Sequence, residues 1–384
     1  MKASRRTAAA LALALLAAGC GSAARPAPSR GASAVPLSLT TAVTSSGATW
    51  AAVPMGAASG ADRFWQLFML PAGGGRWSLQ TPPGIATNGA LVLAGPGSQG
   101  AQGMVVGERP SLYLTFSAIT TTRDGGRAWA TLPPAAGLAD VPDALAAAPG
   151  GGLIALGGNQ QVTTAGPGGG WTTLTTRRAL AASPAARACA LTGLTAVAYT
   201  AAGSPVVAGT CGRAGTAGIF GYAGGAWHQA APPLPATLAG QHVRVLRLAR
   251  AGAGDVALLE AGTGPAASLL AAWTGDGGQQ WRLSPAFRLG GAHAESASFG
   301  PGGATAVVLS GGRGETLAGP GTPRRALPPQ PAGRTVVLAL PAAGTTDALA
   351  AAGDSLTVWQ LGPGSASWAR TQAIKVPIQY GSSG

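Results

Sequence analysis

The sequence predicts an all-β protein built from a repeated four-stranded unit. Three observations carry that reading. An eight-residue turn phrase occurs twice, weaker copies of it recur along the chain, and short apolar runs broken by turn residues fill the intervals. The two full copies are Thr122-Arg123-Asp124-Gly125-Gly126-Arg127-Ala128-Trp129 and Thr274-Gly275-Asp276-Gly277-Gly278-Gln279-Gln280-Trp281. Stretches such as Ala90-Leu91-Val92-Leu93-Ala94 and Gly103-Met104-Val105-Val106-Gly107 have the length and composition of strands. No segment carries a sustained helical period with caps; 136–148 comes nearest, and its prolines and glycines oppose it.

Each residue of the phrase has a physical task. The carboxylates of Asp124 and Asp276 can accept hydrogen bonds from the backbone N–H groups that follow, closing a tight hairpin. Gly126 and Gly278 supply positive φ, and Trp129 and Trp281 open the next strand with a large ring expected to fold over the turn. The constellation Thr122, Asp124, Gly126, Trp129 and its counterpart Thr274, Asp276, Gly278, Trp281 resembles the Asp-box of sialidases and related β-propellers. In that family the box is a structural turn at the blade rim, away from any active site.

Degenerate copies extend the pattern. Thr164 to Trp171 lacks only the Asp, while Leu70 to Trp77 and Phe220 to Trp227 keep the glycine and the Trp. Leu361 to Trp368 keeps the spacing, with Ser365 at the glycine position. Six of the ten Trp residues thus hold one equivalent position, several followed by a proline exit such as Pro82-Pro83 or Pro232-Pro233. A unit ending at Leu327-Pro328-Pro329 has lost its Trp and kept the exit. Units ending near 83, 134, 176, 235, 285, 329 and 376 predict a single-domain β-propeller over 37–377, with seven four-stranded blades and eight or six as the alternatives. The first unit is expected to begin near Pro36-Leu37-Ser38-Leu39, and Lys375 to Tyr380 to add an edge strand.

The N-terminus reads as a secretory signal: Lys2, Arg5 and Arg6 precede a short apolar run from Ala8 to Ala18. Leu16-Ala17-Ala18-Gly19-Cys20 resembles a bacterial lipobox, which implies a signal over 1–19 and a lipid on Cys20; cleavage near Ala24 is the alternative. Residues 20–36 form a tether rich in Ala, Pro, Ser and Gly, and 378–384 a disordered tail. The expected location is the outer face of the cell membrane, and the Ala, Gly, Arg and Pro bias suits a GC-rich, actinobacterial genome.

Loss of the leader would lower the formal charge from +13 to +10. The basic residues are scattered and lack the dense stripe and interleaved aromatics of a nucleic-acid binder, which excludes that class as an expectation. An exported compartment permits a disulfide between Cys189 and Cys211, expected on neighbouring strands around Gly203-Ser204-Pro205. The three His (His228, His242, His293) show no ligand spacing, so no metal and no cofactor is expected.

No catalytic set is recognisable. The Arg-Ile-Pro phrase of sialidases is missing, and none of the four Tyr and four Glu form an evident nucleophile pair. Asp62, Glu108, Asp140, Asp143, Glu260 and Glu295 are the carboxylates open to a two-carboxylate mechanism. The leading expectation is a monomeric, lipid-anchored, non-catalytic module that binds an envelope protein or a cell-wall glycan. The alternatives are a sialidase-like glycoside hydrolase and a structural spacer.

Overall fold

The computed structural model describes residues 38–39, 41–44, 47–56, 63–82, 91–94, 104–108, 119–131, 137–138, 142–166, 169–251, 254–317, 324–332 and 335–377. The chain divides into two units, Met1–Ala34 and Val35–Gly384, and every described residue lies in the second. The expected signal, Cys20, the expected tether before Ser38 and the expected tail beyond Pro377 therefore lie outside the described residues.

The second unit is an all-β propeller. Its strands run as successive antiparallel meanders: Thr41–Val43 to Ser78–Leu79, Leu91–Ala94 to Ala130–Thr131, and Ala144–Ala147 to Gly169–Thr176. There follow Leu191–Tyr199 to Ala226–Gln229, Val243–Ala251 to Arg282–Leu283, Ala294–Phe299 to Arg325–Ala326, and Thr335–Ala342 to Ala369–Lys375. They are called the first to the seventh meander below. Six sheets result among the described residues, because a bridge between Thr210 and Arg244 joins the fourth and fifth meanders, and the short strand Phe287–Arg288 pairs with Ser268–Thr274 of the fifth, to give one nine-stranded sheet.

Hydrophobic burial runs between the meanders. Separate apolar clusters occupy each junction in turn, from the first and second (Trp50, Leu67, Leu93) to the sixth and seventh (Val308, Leu338). The cluster of Ala51, Val53, Phe68, Val337, Leu349 and Val358 joins the seventh to the first, so the succession closes on itself. Strands covered on both faces read as unbroken apolar runs: Leu153–Leu156 is buried throughout. The outermost strand Ala369–Lys375 is largely exposed and correspondingly polar.

Four expectations need correction. Ser38–Leu39 does not start the first meander; it pairs in parallel with Ser296 and Ala297 of the sixth. Of the strand expected from Lys375 to Tyr380, only Lys375 is strand among the described residues, as the end of the outermost strand of the seventh meander, and 378–380 lie outside them. Two short helices, Arg177–Ala181 and Pro184–Arg187, link the third meander to the fourth, capped by the hydroxyls of Thr176 and Ser183. Ser183-Pro184 is a cap followed by Pro at the first helical position, a start signal too short to register as periodicity. Finally, Cys189 precedes the strand it was expected to occupy, and its disulfide ties the end of the helical link to Cys211, the last residue of Pro205–Cys211. Among the described residues no helix is long and apolar enough to cross a membrane.

Candidate functional site

The two full turn phrases form closed hydrogen-bonded units. The Thr122 hydroxyl donates to Asp124 Oδ1 at 2.9 Å and accepts from the Gly126 N–H at 2.9 Å, while Ala128 N–H donates to Asp124 Oδ1 at 2.9 Å. Thr274 repeats this at 2.7 and 3.1 Å, and Asp276 Oδ1 takes the N–H groups of Gln279 and Gln280, each at 2.9 Å. Gly126 and Gly278 hold φ of 88° and 94°. The Ala128 amide, then the Thr122 hydroxyl, holds the Asp124 carboxyl below its ordinary pKa; the Gln280 amide and Thr274 do the same for Asp276. These carboxylates serve their own turns. The Thr hydroxyl is a hub that sequence reasoning left without a role.

The Trp rings do not fold back over their turns. Trp281 Nε1 donates to the Ala230 carbonyl of the fourth meander at 2.8 Å, and Trp129 meets Trp50 of the first edge-on at 5.9 Å. Trp77 Nε1 reaches Asp347 of the seventh at 2.9 Å, and Trp368 Nε1 reaches the Pro328 carbonyl of the sixth at 3.4 Å. Trp171 and Trp227 pack into the junctions with their preceding meanders. Each repeated Trp is therefore a tie to the meander before it. In the sixth meander Arg324 stands directly before the fourth strand, where Trp281 and Trp368 stand in theirs. Its guanidinium lies 4.6 Å above the Phe287 ring of the fifth meander and 3.4 Å from Glu315. Trp273 ties this junction in the opposite direction, donating to the Gly303 carbonyl.

The carboxylates considered for catalysis are dispersed. Asp62 and Asp140 lie outside the described residues, and Glu108 ends the strand Met104–Glu108 with its side chain undescribed. Glu260 is held by Arg244 at 3.2 Å. Asp143 faces Arg247, a buried guanidinium on the first strand of the fifth meander; burial pulls the Arg247 pKa down to about 10, and the Asp143 charge opposes that shift. Among the described residues no three His, Cys, Asp or Glu side chains gather as a metal-ligand set.

A cleft of about 1170 Å³ opens between the sixth and seventh meanders and reaches Pro54 and Trp65 of the first. Its walls carry Glu295, Arg313, Glu315, Arg324 and the run Pro328-Pro329-Gln330-Pro331. Glu315 is pushed above its ordinary pKa by burial, against the pull of Arg324 and Arg313. Gln330 has both amide atoms buried, and neither is hydrogen-bonded among the described residues. The amide lies over Gly314, where an added Cβ would come within 2.2 Å of Nε2. Sequence reasoning missed Gln330, because a Gln between prolines reads as loop.

A second cavity of about 520 Å³ lies beside the Thr274–Trp281 turn and the Gly302-Gly303 turn of the sixth meander. Asp255 lines it, 6% exposed, with Oδ1 buried and without a hydrogen-bond partner. Burial drives the Asp255 pKa up to about 7 against the opposing charge of Arg250, its cross-strand neighbour. Asp255 was also missed; an Asp after Gly reads as turn chemistry.

No family model matches this chain, and no curated protein matches it. Solved structures do. YCF48 from Cyanidioschyzon merolae is 13% identical with a TM-score of 0.49, over 86% of this chain and 97% of that one. YCF48 bound to D1 peptide is 13% identical with a TM-score of 0.45, over 73% of this chain and 82% of that one. A putative 6-phosphogluconolactonase from Bacteroides uniformis is 14% identical with a TM-score of 0.48, over 85% of this chain and 96% of that one. None of these likenesses carries a function to this chain.

Proposed function

We propose that this chain is an exported, lipid-anchored propeller that binds a protein partner of the cell envelope without catalysing a reaction, and that the partner lays an extended segment in the cleft at Gln330. The unbonded Gln330 amide carries this reading. Two other glutamines show what such an amide does here. Gln372 takes the N–H of Trp77 at 2.9 Å and gives its own N–H to the Trp77 carbonyl at 2.7 Å. Gln160 does the same to Leu194, at 2.5 and 3.2 Å. In both, a side-chain amide grips one residue of passing backbone through a donor and an acceptor. Gln330 holds the same pair, buried beside the cleft, with no hydrogen-bonded backbone among the described residues. Leaving both atoms unpaired costs about 1–3 kcal/mol each, which a bound strand would recover. Proline rings and Trp65 supply apolar wall.

The test places a photo-crosslinking residue at Pro329 in the full chain in cells. A discrete adduct with one envelope protein is expected, absent from Gln330→Met and from a control probe at Arg370 on the exposed outer strand. No adduct, or equal labelling from Arg370, would overturn the reading. Anchoring rests on the lipobox ending at Cys20; mass spectrometry of the mature N-terminus should find a lipidated Cys20, and an unmodified start near Ala24 would refute it.

One observation favours the hydrolase reading: Glu295 and Glu315 share the cleft. Glu315, however, is tied to Arg324, which leaves Glu295 without a second free carboxylate among the described residues. Glycosidase activity lost in both Glu295→Gln and Glu315→Gln would reverse the order of the two readings.

A further inference from the structure

The cavity beside Asp255 is separate from the Gln330 cleft, and its chemistry differs. Its lining includes Asp255, Trp273, Thr274, Gln280, Trp281 and Arg282. The volume of about 520 Å³ falls within the range of small-ligand sites, about 300–1,000 Å³.

Asp255 is not required by the turn it faces. It pairs across the strands with Thr274, the first residue of the turn phrase. In the second meander the residue opposite the equivalent Thr122 is Met104, and that turn closes with the same hydrogen bonds. The fold therefore builds this turn without a carboxylate opposite it. A buried carboxylate oxygen with no hydrogen-bond donor is costly to keep, and it calls for an explanation outside the turn. Burial raises its pKa against the opposing charge of Arg250, which places a partly desolvated carboxylate at the cavity wall.

The charge balance narrows the ligand. Asp255 and Asp276 are matched by Arg250 beside Asp255 and by Arg282 on the wall. The lining itself holds two carboxylates and one guanidinium, which disfavours an anion, and Arg250 offsets Asp255 from the neighbouring strand outside the lining, which leaves little net charge to select a cation. Indole edges and faces from Trp273 and Trp281 provide apolar surface, while Asp255, Gln280 and Arg282 provide acceptors and donors. Apolar ring faces combined with directional hydroxyls are the property of a sugar ring. We infer that the cavity between the fifth and sixth meanders is a binding site for a neutral pyranose, with Asp255 accepting from its hydroxyls and Trp281 covering one ring face.

The full mature chain would be titrated with chitotriose, cellotriose and mannotriose by saturation-transfer NMR and Trp fluorescence, alongside Asp255→Leu and Trp281→Phe. At least one trisaccharide should bind with a Kd below about 10 mM, and Asp255→Leu should weaken it by about tenfold or more while remaining folded. A circular dichroism melt of Asp255→Leu separates lost binding from lost fold, and Trp281→Phe should weaken binding if Asp255→Leu proves unfolded. Binding of none of the three, equal binding by both variants, or binding of the cationic glucosamine trimer alone would overturn the assignment. Co-sedimentation with purified cell-wall sacculi, reduced by Asp255→Leu, would place the sugar in the wall polymer; trisaccharide binding without it would place it in a soluble glycan. Neither outcome touches the Pro329 crosslink, so the two proposals fail independently.

Discussion

Asp255 couples charge to stability at the scale of one residue. Its folded pKa of about 7 lies above the ordinary 3.8, so between those values the folded chain holds a proton that the unfolded chain has released. The contribution is therefore most favourable below about pH 4 and is lost as pH rises through about 7. The full shift corresponds to a penalty on the order of 4 kcal/mol at pH 8. Thermal melts of Asp255→Asn across pH 4–8 should be flatter than those of the parent, with a higher Tm at pH 8; parallel profiles would exclude Asp255 as the source. At Gly314 the conflict is local. A methyl there meets the flexible end of Gln330 and the Leu327 methyl at 2.9 Å, so Gly314→Ala should cost only about 1–2 kcal/mol in a denaturant titration. It should nonetheless abolish the Pro329 crosslink, because the Gln330 amide is displaced.

Ties between meanders carry the energetics of the elements. Replacing Trp281 by Phe removes one neutral hydrogen bond to the Ala230 carbonyl and should cost about 1 kcal/mol. Trp77→Phe should cost more, about 1–3 kcal/mol, because Asp347 is 2% exposed and would keep only the Gln360 amide at 3.1 Å. Chemical denaturation of the two variants in parallel tests the order, and equal losses would show that the buried carboxylate finds another donor. The Cys189–Cys211 bridge spans 22 residues of sequence and holds the helical link against the fourth meander. Chain entropy assigns it about 3 kcal/mol, so Cys189→Ala with Cys211→Ala should lower the unfolding free energy by about that amount in a denaturant titration, with a larger m-value because the uncrosslinked unfolded chain exposes more surface.

On the scale of the molecule, the propeller closes without a shared sheet between first and last meanders. The contacts there are an apolar cluster, the Trp77–Asp347 bond, the Gln372 grip on the Trp77 backbone and a bridge between Gly56 and Gly353. Deleting 365–384 removes Trp368, the outer strand and Gln372 together. The truncated chain should lose cooperative unfolding by circular dichroism, whereas removal of 378–384 alone should leave the melt unchanged. Apart from these contacts, the parallel strand Ser38–Leu39 ties the chain ahead of the first meander to the sixth.

Local chemistry was legible in the sequence. Thr-x-Asp-x-Gly-x-x-Trp specifies a turn through bonds that span at most four residues, so its Asp and Gly roles could be read directly from Asp124, Gly126, Asp276 and Gly278. Strand-length apolar runs between the turns likewise announced an all-β repeat. The direction of each Trp, the substitution of Arg324 at the sixth position, and the isolation of Asp255 and Gln330 were not legible. Each depends on a partner, or the lack of one, in another meander, as with Trp77 and Asp347 at 270 residues' separation. Turn propensity is written in neighbouring residues, but burial and hydrogen-bond satisfaction are properties of surfaces that exist only once the meanders have closed on one another.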